Sequence, residues 1–500
     1  MGKVISLNEK STSVFIVACL MLTFVFGMVG AAGAATIYVE EGESIQDAID
    51  NASPEDTIEV GPGTFVEQLT IGEGKANLSL IGATDGNGVP NSILNLSTFT
   101  CGHGILIKGV EGVTVKNFEV HHSPDRGIYA DKTQGVLIDN IVTHNNSNDG
   151  IRVREDQNGT VQNSKSIENN GDGITFYSYG SILNNIVSNN VERGIYVHVG
   201  SVTGTGTLTI SCNEVYENEN AGAISPNEHK VGGIIVYSKA HVPGITQVII
   251  ENNKIYKNKG PGLLLYKINH KGADKSVIAD SQSESLVKGN IIFDNENRTS
   301  PDWEMGMGMN PGDGILVYLC HNIVFECNVI YNSTAGIRIT NDYRYNSFGP
   351  TTNNTLRFND FYNNEYGILV SGGDNYGVKN TTAHENNIYG NVNGVVNMNN
   401  NNEIVNATSN WWGDSSGPSG EGLSGTGDFV SENVDFDPYK SEALDACPPT
   451  ECPDTDIHPK PNDFCVCSSF ASVPTMNPLL LIVGLLGISM FMILRKETKK

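Results

Sequence analysis

The sequence predicts an all-β solenoid, a parallel β-helix with a cap at its N-terminal end and one apolar helix near its C-terminus. Three observations predict this fold. A Gly-Ile motif recurs along most of the chain, an asparagine motif precedes it, and apolar and polar residues alternate after it. A period in the low twenties is typical of a coil built from a few short strands and turns.

The Gly-Ile motif marks the turn at which each coil begins. Its first copies contain Gly127, Gly150, Gly173 and Gly194, and later copies contain Gly233, Gly314, Gly336 and Gly367. The first spacings are therefore 23, 23 and 21 residues. Glycine permits the positive φ angles and the close backbone approach that such turns require. The alternation after each glycine predicts that Ile151 and Val153 point inward, whereas their neighbours point outward.

The asparagine motif has the form N-x-I/V/F-x-x-N or close to it. Asparagine tolerates left-handed backbone geometry, and its amide can bond to a like side chain one coil away, at about 4.8 Å. We therefore expect the first-position residues to form an internal ladder. These residues are Asn140, Asn163, Asn185, Asn213, Asn253, Asn290, Asn328 and Asn387.

The two ends of the chain predict secretion and membrane attachment. Residues 1–35 combine Lys3 and Lys10 with an apolar run and then small residues, the order found in secretory signal peptides. Residues 476–494 form a second apolar run that, as a helix, nearly spans a bilayer, and the basic residues 495–500 would stay in the cytoplasm. The prediction is a secreted, cell-surface body with a C-terminal transmembrane anchor, and this tail resembles the sorting signals of archaeal and bacterial surface proteins.

Cysteine usage fits an extracellular chain. Nine cysteines are present, and Cys19 lies in the predicted signal peptide, so eight remain. The body contains Cys101, Cys212, Cys320 and Cys327, and the Cys/Pro-rich residues 441–475, the stalk, contain Cys447, Cys452, Cys465 and Cys467. An even number outside the cell favours disulfides, and we expect a disulfide-stapled stalk rather than a zinc site, because the CxC and Cx4C spacings do not match a zinc pattern.

The net charge and the glycosylation motifs limit the classes of partner and the location that the sequence predicts. The formal net charge is −25, which repels phosphate and argues against nucleic acid. Sequons for N-glycosylation are consistent with a surface glycoprotein. Among them are Asn77, Asn95, Asn158, Asn332 and Asn380.

Several segments resemble the right-handed parallel β-helix (pectin lyase-like) superfamily, which includes pectate lyases, polygalacturonases and NosD-like surface proteins. Residues 36–65 are similar to its capping region, and Asn410-Trp411-Trp412-Gly413 looks like the closing unit of its archaeal and bacterial surface members. The resemblance implies a right-handed parallel β-helix solenoid, with the cap and first coils in residues 36–100 and the repeats in residues 101–440. It does not imply one activity, because the superfamily contains enzymes, binding proteins and structural proteins.

A row of charges provides the candidate catalytic residues. Asp149 and Asp172 precede successive turn glycines, about 5 Å apart on neighbouring coils, and Arg126 and Arg193 bracket them. Close carboxylates separate their pKa values, and about 5–5.5 Å is the spacing in retaining glycosidases. His144 is a candidate proton carrier. The alternatives are a purely structural charge ladder, which we favour, and a Ca²⁺ site, for which two carboxylates supply too few oxygens.

Outward side chains on the same coils provide candidate substrate-binding residues. Aromatic rings suit stacking on sugars, although cross-strand stacking that stabilises the fold is an equal alternative, and arginines suit carboxylates. The set is Tyr129, Arg152, Arg154, Tyr177, Tyr196 and His198. Further along, the row of Tyr129 becomes aliphatic at Ile235, Leu264, Leu316 and Leu369, which predicts a cover.

These observations predict a surface-anchored β-helix that binds or organises extracellular or envelope polysaccharide, without a metal or other cofactor. The alternative is a polysaccharide hydrolase, lyase or epimerase that uses the two carboxylates. A copper-accessory role, by analogy with NosD-like proteins, would rest on Met305, Met307 and Met309.

Overall fold

Short parallel strands stack into columns throughout the part of the chain that the computed structural model describes, which comprises residues 33–199, 206–218, 232–238, 245–269, 284–296, 312–341, 350–372, 377–399, 403–445, 447–448 and 452. A 25-stranded sheet contains two columns, and a 12-stranded sheet forms the third. Their strand pairs are parallel and join one coil to the next. The chain is therefore a parallel β-helix with three faces.

The first face contains the strands that follow the Gly-Ile turns. They are Leu69–Ile71, Ile105–Lys108, Ile128–Asp131, Ile151–Gln162, Ile174–Leu183, Ile195–Val199, Ile234–Ser238, Leu263–Tyr266, Ile315–Tyr318, Ala335–Thr340, Tyr366–Gly372 and Asn393–Asn399. The two longest, Ile151–Gln162 and Ile174–Leu183, continue into the second face and so join the two columns into one sheet.

The second and third faces complete each coil. The second contains Thr36–Val39, Thr57–Val60, Ser79–Gly82, Thr114–Lys116, Leu137–Asp139, Gly206–Ser211, Ile245–Glu251, Ser285–Lys288, Ile323–Glu326, Thr355–Arg357, Thr382–His384, Val405–Asn406 and Val434–Asp435. The third contains Gly63–Phe65, Ser92–Asn95, Phe118–His121, Val142–His144, Lys165–Ile167, Ile186–Ser188, Glu214–Tyr216, Lys254–Tyr256, Ile291–Phe293, Val329–Tyr331, Asp360–Tyr362 and Asn387–Tyr389. Two small sheets pair Thr351–Thr352 with Val378–Lys379 and Pro418–Ser419 with Gly427–Phe429.

A short helix, Ile45–Asn51, covers the start of the solenoid. Ser44 caps it by accepting a hydrogen bond from the backbone N–H of Asp47, which satisfies one of the free donors of the first turn. Ile45 and Ile49 are buried against the first coils. The helix therefore protects an otherwise open edge, as expected of a cap.

The interior is filled by the residues that alternation predicts. Ile151, Val153, Ile174 and Phe176 are completely buried in one continuous apolar core. Each inward side chain packs on its counterpart one coil away, since Ile151 pairs in register with Ile128 and with Ile174. The prediction of inward and outward positions is confirmed for these coils.

Two internal asparagine ladders run along the coils. In the first, each side-chain Nδ2 donates to Oδ1 of the next asparagine in the order Asn185, Asn213, Asn253, Asn290, Asn328, Asn359, Asn386 and Asn410. The second contains Asn146, Asn169, Asn190, Asn218, Asn258 and Asn295. The amides also donate to backbone carbonyls, as Asn253 does to Ile210 at 2.9 Å.

The ladder prediction is wrong for Asn140, Asn163 and Asn387. Asn140 and Asn163 have positive φ angles at the partly buried corner of the coil, where Asn140 donates to Asn117 and Asn163 donates to Asp139. Asn387 points outward and donates to Asp360. In each case the following or preceding residue takes the inner position, so the motif was assigned one residue out of register.

Two disulfides join the stalk to the body rather than to itself. Cys212 pairs with Cys452, and Cys327 pairs with Cys447. The prediction of disulfides at the stalk cysteines is therefore confirmed for Cys447 and Cys452, whose partners the sequence left open. Among the cysteines that the structure describes, Cys101 and Cys320 are free.

Several predictions fall on other parts of the chain. The signal peptide overlaps the described residues only at 33–35, and the transmembrane helix 476–494, the tail 495–500, Cys465, Cys467 and the methionines 305, 307 and 309 lie outside them. Within the described ranges, no helix is long and apolar enough to cross a bilayer.

The ladder predicts a large difference between inner and outer asparagines. Asn253→Ala removes the buried acceptor of the Asn213 backbone N–H and side-chain amide and the donor to the Ile210 carbonyl, so we expect a loss of about 3 kcal/mol in unfolding free energy. Asn91→Ala, at an exposed position, should change it by less than about 0.5 kcal/mol. Urea denaturation of the soluble body measures both, and equal losses would contradict the stabilising role of the ladder.

Candidate functional site

Five residues that precede the turn glycines form one row, the charge ladder, which contains His103, Arg126, Asp149, Asp172 and Arg193. Strand register aligns their coils, because Ile128 pairs with Ile105 on one side and with Ile151 on the other. The sequence analysis did not include His103. Its signal was the spacing, since positions 103, 126, 149 and 172 are each 23 residues apart.

Asp149 is buried and fully engaged. Its Oδ2 accepts from Arg126 Nε at 3.2 Å and from Arg152 Nη1 at 3.3 Å, and its Oδ1 accepts the backbone N–H of Asp172 at 3.2 Å. Only 3 % of the residue is exposed. Burial, followed by the charge of Asp172, raises the pKa of the Asp149 carboxyl, and the two arginines oppose this rise.

Asp172 is held in the same manner on the next coil. Its Oδ1 accepts from Arg193 Nε at 2.7 Å and from the Arg193 backbone N–H at 3.0 Å, and its Oδ2 accepts from Thr175 Oγ1 at 2.9 Å. The residue is 2 % exposed. The structure thus brings the two predicted carboxylates together on adjacent coils, each bound to an arginine.

Arg152 lies beside the ladder, and only some of the hydrogen-bond donors of its guanidinium have acceptors. Within the described residues, its one hydrogen bond runs from Nη1 to Asp149, and its buried Nε has no acceptor. The guanidinium rests on the ring of Tyr177, 4.8 Å from its centroid, and 21 % of the side chain is exposed. An arginine carries five N–H donors, so this one keeps unused hydrogen-bonding capacity in a fixed orientation.

Arg154 and Tyr129 form the outer part of the site. Arg154 is the more exposed of the two arginines on this strand, with 45 % of its side chain accessible, and donates to Glu155 at 2.9 Å. The Tyr129 ring contacts the guanidinium of Arg126 and the imidazole of His103, with centroid distances of 5.1 and 4.9 Å. Burial lowers the pKa of His103, and Asp125, 3.3 Å from Nδ1, opposes this effect.

The remaining predicted rings are packed against protein groups. Arg193 lies 3.9 Å above the Tyr196 ring, which is only 6 % exposed. Tyr177 meets Tyr196 and His198 edge-on, and His198 stacks on Tyr237. Tyr196 therefore shows the contacts of the alternative, stacking within the protein, because a guanidinium and a neighbouring ring pack against it.

Beyond Tyr196 the outward row becomes a second apolar cluster. Ile235, Leu264 and Leu316 are 0–2 % exposed and pack with Tyr196 on the outside of the first face. Leu369 lies in a third cluster with Ala335 and Val396. The aliphatic row is thus covered in the folded chain, as its composition predicts.

His144 lies on a different face from the carboxylates. It projects from the third face, where its Nε2 is 3.1 Å from Glu119 and its ring stacks on His121 at 4.9 Å. The contact with His144 lowers the pKa of Glu119, because a hydrogen bond favours the carboxylate. The hydrogen bonds of Asp149 and Asp172 instead come from the ladder and its neighbours, and His103 is the imidazole on the ladder itself.

An open polar groove of about 670 Å³ lies beyond the C-terminal ends of the same strands. Lys132 and Glu155, which line it, directly follow Asp131 and Arg154 of the first face. Other lining residues are Glu73, Glu111, Gln134 and Gln157. The charged surface and the groove are therefore adjacent along the strand direction.

In the described ranges, no group of three or more histidine, cysteine, aspartate or glutamate side chains is arranged to hold a metal ion. Asp149 and Asp172 bond to arginines, which occupy the oxygens that Ca²⁺ would require.

A family model described as the right handed beta helix region matches residues 84–238 and 227–409. The chain belongs to this right-handed β-helix family. The match covers most of the body, including the whole charge ladder. No curated protein matches the sequence at a significant level.

Solved structures similar to this β-helix protein include polysaccharide-active enzymes. The mannuronan C-5 epimerase AlgE4 A-module of Azotobacter vinelandii is 16 % identical, with a TM-score of 0.43, over 70 % of this chain and 92 % of that one. Pectate lyase Pel9A is 13 % identical over 83 % of both chains, with a TM-score of 0.36. The periplasmic alginate epimerase AlgG is 14 % identical over 80 % of this chain and 83 % of that one, with a TM-score of 0.39. At these identities the likeness concerns the fold alone.

The C-terminus of the β-helix protein matches a second model, the VPxxxP-CTERM archaeal protein sorting domain, over residues 473–498. Val473, Pro474 and Pro478 supply the motif. Sequence reasoning found the apolar run that follows but missed these three residues. The protein is therefore secreted and held at the cell surface through its C-terminal sorting domain, as predicted.

The raised pKa of Asp149 predicts a specific pH dependence. The folded state binds the Asp149 proton more tightly than the unfolded chain, so its contribution to stability is greatest below the unfolded pKa and falls as pH rises through the folded pKa. Asp149→Asn imitates the neutral form and should gain stability relative to the parent between pH 4 and pH 7. Unfolding free energies of variant and parent at both pH values test this. A variant whose stability relative to the parent is lower at pH 7 than at pH 4 would contradict it.

Proposed function

We propose that this protein is a surface-anchored β-helix that binds anionic polysaccharide, with uronate carboxylates held by the arginines of the first face. The observation that carries the proposal is Arg152. Its guanidinium is fixed by Asp149 and Tyr177, remains partly exposed and keeps unused donors. A planar fork of N–H groups matches a carboxylate in two parallel hydrogen bonds.

The neighbouring charges support an anionic ligand. The chain as a whole carries −25, so an acidic polymer would be repelled from most of its surface. On the first face, Arg152 and Arg154 point outward, while Asp149 and Asp172 are buried beneath arginines. At Arg152 itself, the accessible group is therefore the guanidinium and not the carboxylates beneath it. The adjacent groove contains amides, a lysine and three glutamates as groups that could bond to further sugar hydroxyls.

The carboxylates are better suited to holding the arginines than to catalysis. A catalytic acid or nucleophile must reach the reacting atom, and both aspartates are nearly inaccessible and bonded to arginine. The alternative, a polysaccharide hydrolase, lyase or epimerase, is favoured by one observation, the raised pKa of Asp149 beside Asp172. His103 would be the nearest imidazole on the ladder for that chemistry.

Attachment of the body completes the proposal. Residues 476–494 would form a transmembrane helix within the sorting domain, and residues 495–500 would lie in the cytoplasm. Asn158, Asn332 and Asn380 are exposed sequon asparagines with positive φ angles, and glycosylation there would leave the core undisturbed.

Binding should depend on Arg152. We expect Arg152→Met to weaken binding of a uronic acid homopolymer about tenfold, or about 1.4 kcal/mol, and Arg152→Lys to weaken it nearly as much, because lysine keeps the charge but loses the planar fork. Arg357→Met is the control, since Arg357 is a surface arginine, 39 % exposed and paired with Glu326, on the second face. Isothermal titration with a uronate polymer and a neutral glucan measures the difference.

Two outcomes would contradict that prediction. Equal affinity for the neutral glucan and the uronate polymer would remove the role of the arginines. Release of new reducing ends or unsaturated products by the parent, abolished in Asp149→Asn or Asp172→Asn while binding persists, would establish the enzyme alternative instead.

Surface attachment should require the sorting domain. Deleting residues 473–500 is expected to release the folded body into the medium, because the apolar run and its basic end are lost. Fractionation of expressing cells, with protease added to intact cells carrying the full chain, measures this. A full-length body that resists external protease but is cut in lysates would contradict the surface location.

A further inference from the structure

The residues after the last coil turn back along the body. Lys440 pairs with Trp411 at the end of the solenoid. Leu444 then exchanges two hydrogen bonds with Asn387, donating from its backbone N–H at 2.8 Å and accepting from Nδ2 at 3.1 Å. Cys447 and Cys452 follow, each in a disulfide with a body cysteine. We call residues 440–452 the C-terminal strap.

The disulfides reach successively earlier coils. Cys447 bonds to Cys327. Cys452 bonds to Cys212, which directly precedes Asn213 of the first asparagine ladder. Six hydrogen-bonded steps of the first ladder separate Asn213 from Asn410. The strap therefore runs opposite to the growth of the solenoid.

Geometry limits the path of the strap. Lys440 lies one step beyond Trp411, so seven steps of about 4.8 Å, or about 34 Å, separate it from the coil of Cys212. The twelve residue steps from Lys440 to Cys452 can span about 40 Å when extended. The length of this segment therefore suffices to reach the coil of Cys212, and its disulfides fasten it at two separate levels.

Cys212 lies in the last of the charge-ladder coils, the coil that begins directly after Arg193. Along the backbone, 240 residues separate Cys212 from Cys452, whereas the disulfide joins them directly. The sorting domain begins at residue 473, after the strap. The covalent route from the ladder to the sorting domain thus bypasses all later coils.

We propose that the strap transfers the attachment point of the surface anchor from the last coil to the coil of Cys212, and so keeps the charge-ladder coils covalently attached to the cell when the chain is cut between Cys212 and Cys452. This inference goes beyond the proposed binding function and does not depend on it. Its experimental consequence is a linkage between fragments that only a reductant removes.

The test uses the full-length protein with a specific protease site inserted between Glu421 and Gly422, in an exposed turn inside both disulfide loops. After cleavage, a denaturing gel without reductant should show the fragments joined, and dithiothreitol should separate them completely. The control places the same site between Gly86 and Asn87, an exposed turn outside both loops. Its fragments should separate with or without reductant.

Cysteine variants assign the linkage. Cys452→Ser and Cys447→Ser should each leave the cleaved fragments joined, because one disulfide remains, whereas the double variant should separate without reductant. In a membrane fraction of cells washed with urea, the cleaved N-terminal fragment should stay bound until dithiothreitol is added. Mass spectrometry of an unreduced digest should recover Cys212 linked to Cys452.

Three results would overturn the proposal. The parent fragments could separate without reductant, urea alone could remove the N-terminal fragment from the membranes, or the digest could contain Cys447 linked to Cys452. Each result is independent of whether the first face binds a polysaccharide, so failure of one proposal leaves the other testable.

Discussion

The coil-to-coil register is the constraint on which the rest of the structure depends. Parallel pairing places each position of the repeat about 4.8 Å from its counterpart one coil away, so every side chain must be compatible with a like neighbour. Asparagine meets this condition because its amide donates on one side and accepts on the other. Aromatic rings meet it by stacking. On the third face, a column of stacked rings has centroid separations of 4.8–5.2 Å and contains Tyr216, Tyr256, Phe293, Tyr331, Tyr362 and Tyr389.

Charged residues satisfy the same constraint only by alternating in sign. Arg126 beside Asp149, and Asp172 beside Arg193, are the compatible steps of the ladder. The step from Asp149 to Asp172 is the exception, because it places two carboxylates together in a buried row. Arg152 compensates from the side, and the Asp172 backbone N–H donates to Asp149. The pair of Asp149 and Asp172 thus departs from the alternation of charge and is stabilised by extra partners. A functional site is expected at such a position, where the pKa of a buried group is also shifted.

Most of the fold was predictable because it depends on spacing and alternation. The Gly-Ile turns identified the coils, and the alternation of Ile151, Arg152 and Val153 identified inside and outside correctly. The sequence did not reveal which asparagine of each corner points inward, because asparagine has two roles there. Asn185 is an inner ladder member, whereas Asn140 is a corner residue with a positive φ angle. Local sequence does not separate these two uses; the neighbours one coil away do.

The sequence predicted which residues of the site share a row, but it did not predict which of them are buried. Asp149, Asp172 and Arg152 were identified from their positions in the repeat, and the same 23-residue spacing would have added His103. The burial of Tyr196 was not predictable, because it depends on what covers the outside of the first face rather than on the coil itself. Disulfide partners such as Cys212 and Cys452 were equally inaccessible, since 240 residues separate them and the return path of the strap has no periodic signal.

The arrangement of Arg152 links the structural ladder to the proposed binding function. A long, flexible side chain loses entropy when a ligand fixes it, which weakens binding. Here the carboxylate of Asp149 and the ring of Tyr177 already restrain the guanidinium, so most of that entropy is lost during folding. The buried aspartates therefore serve binding without contacting a ligand, because they fix the orientation of the arginines that do. This division of roles explains why acidic residues line the base of a surface that we propose to bind acids.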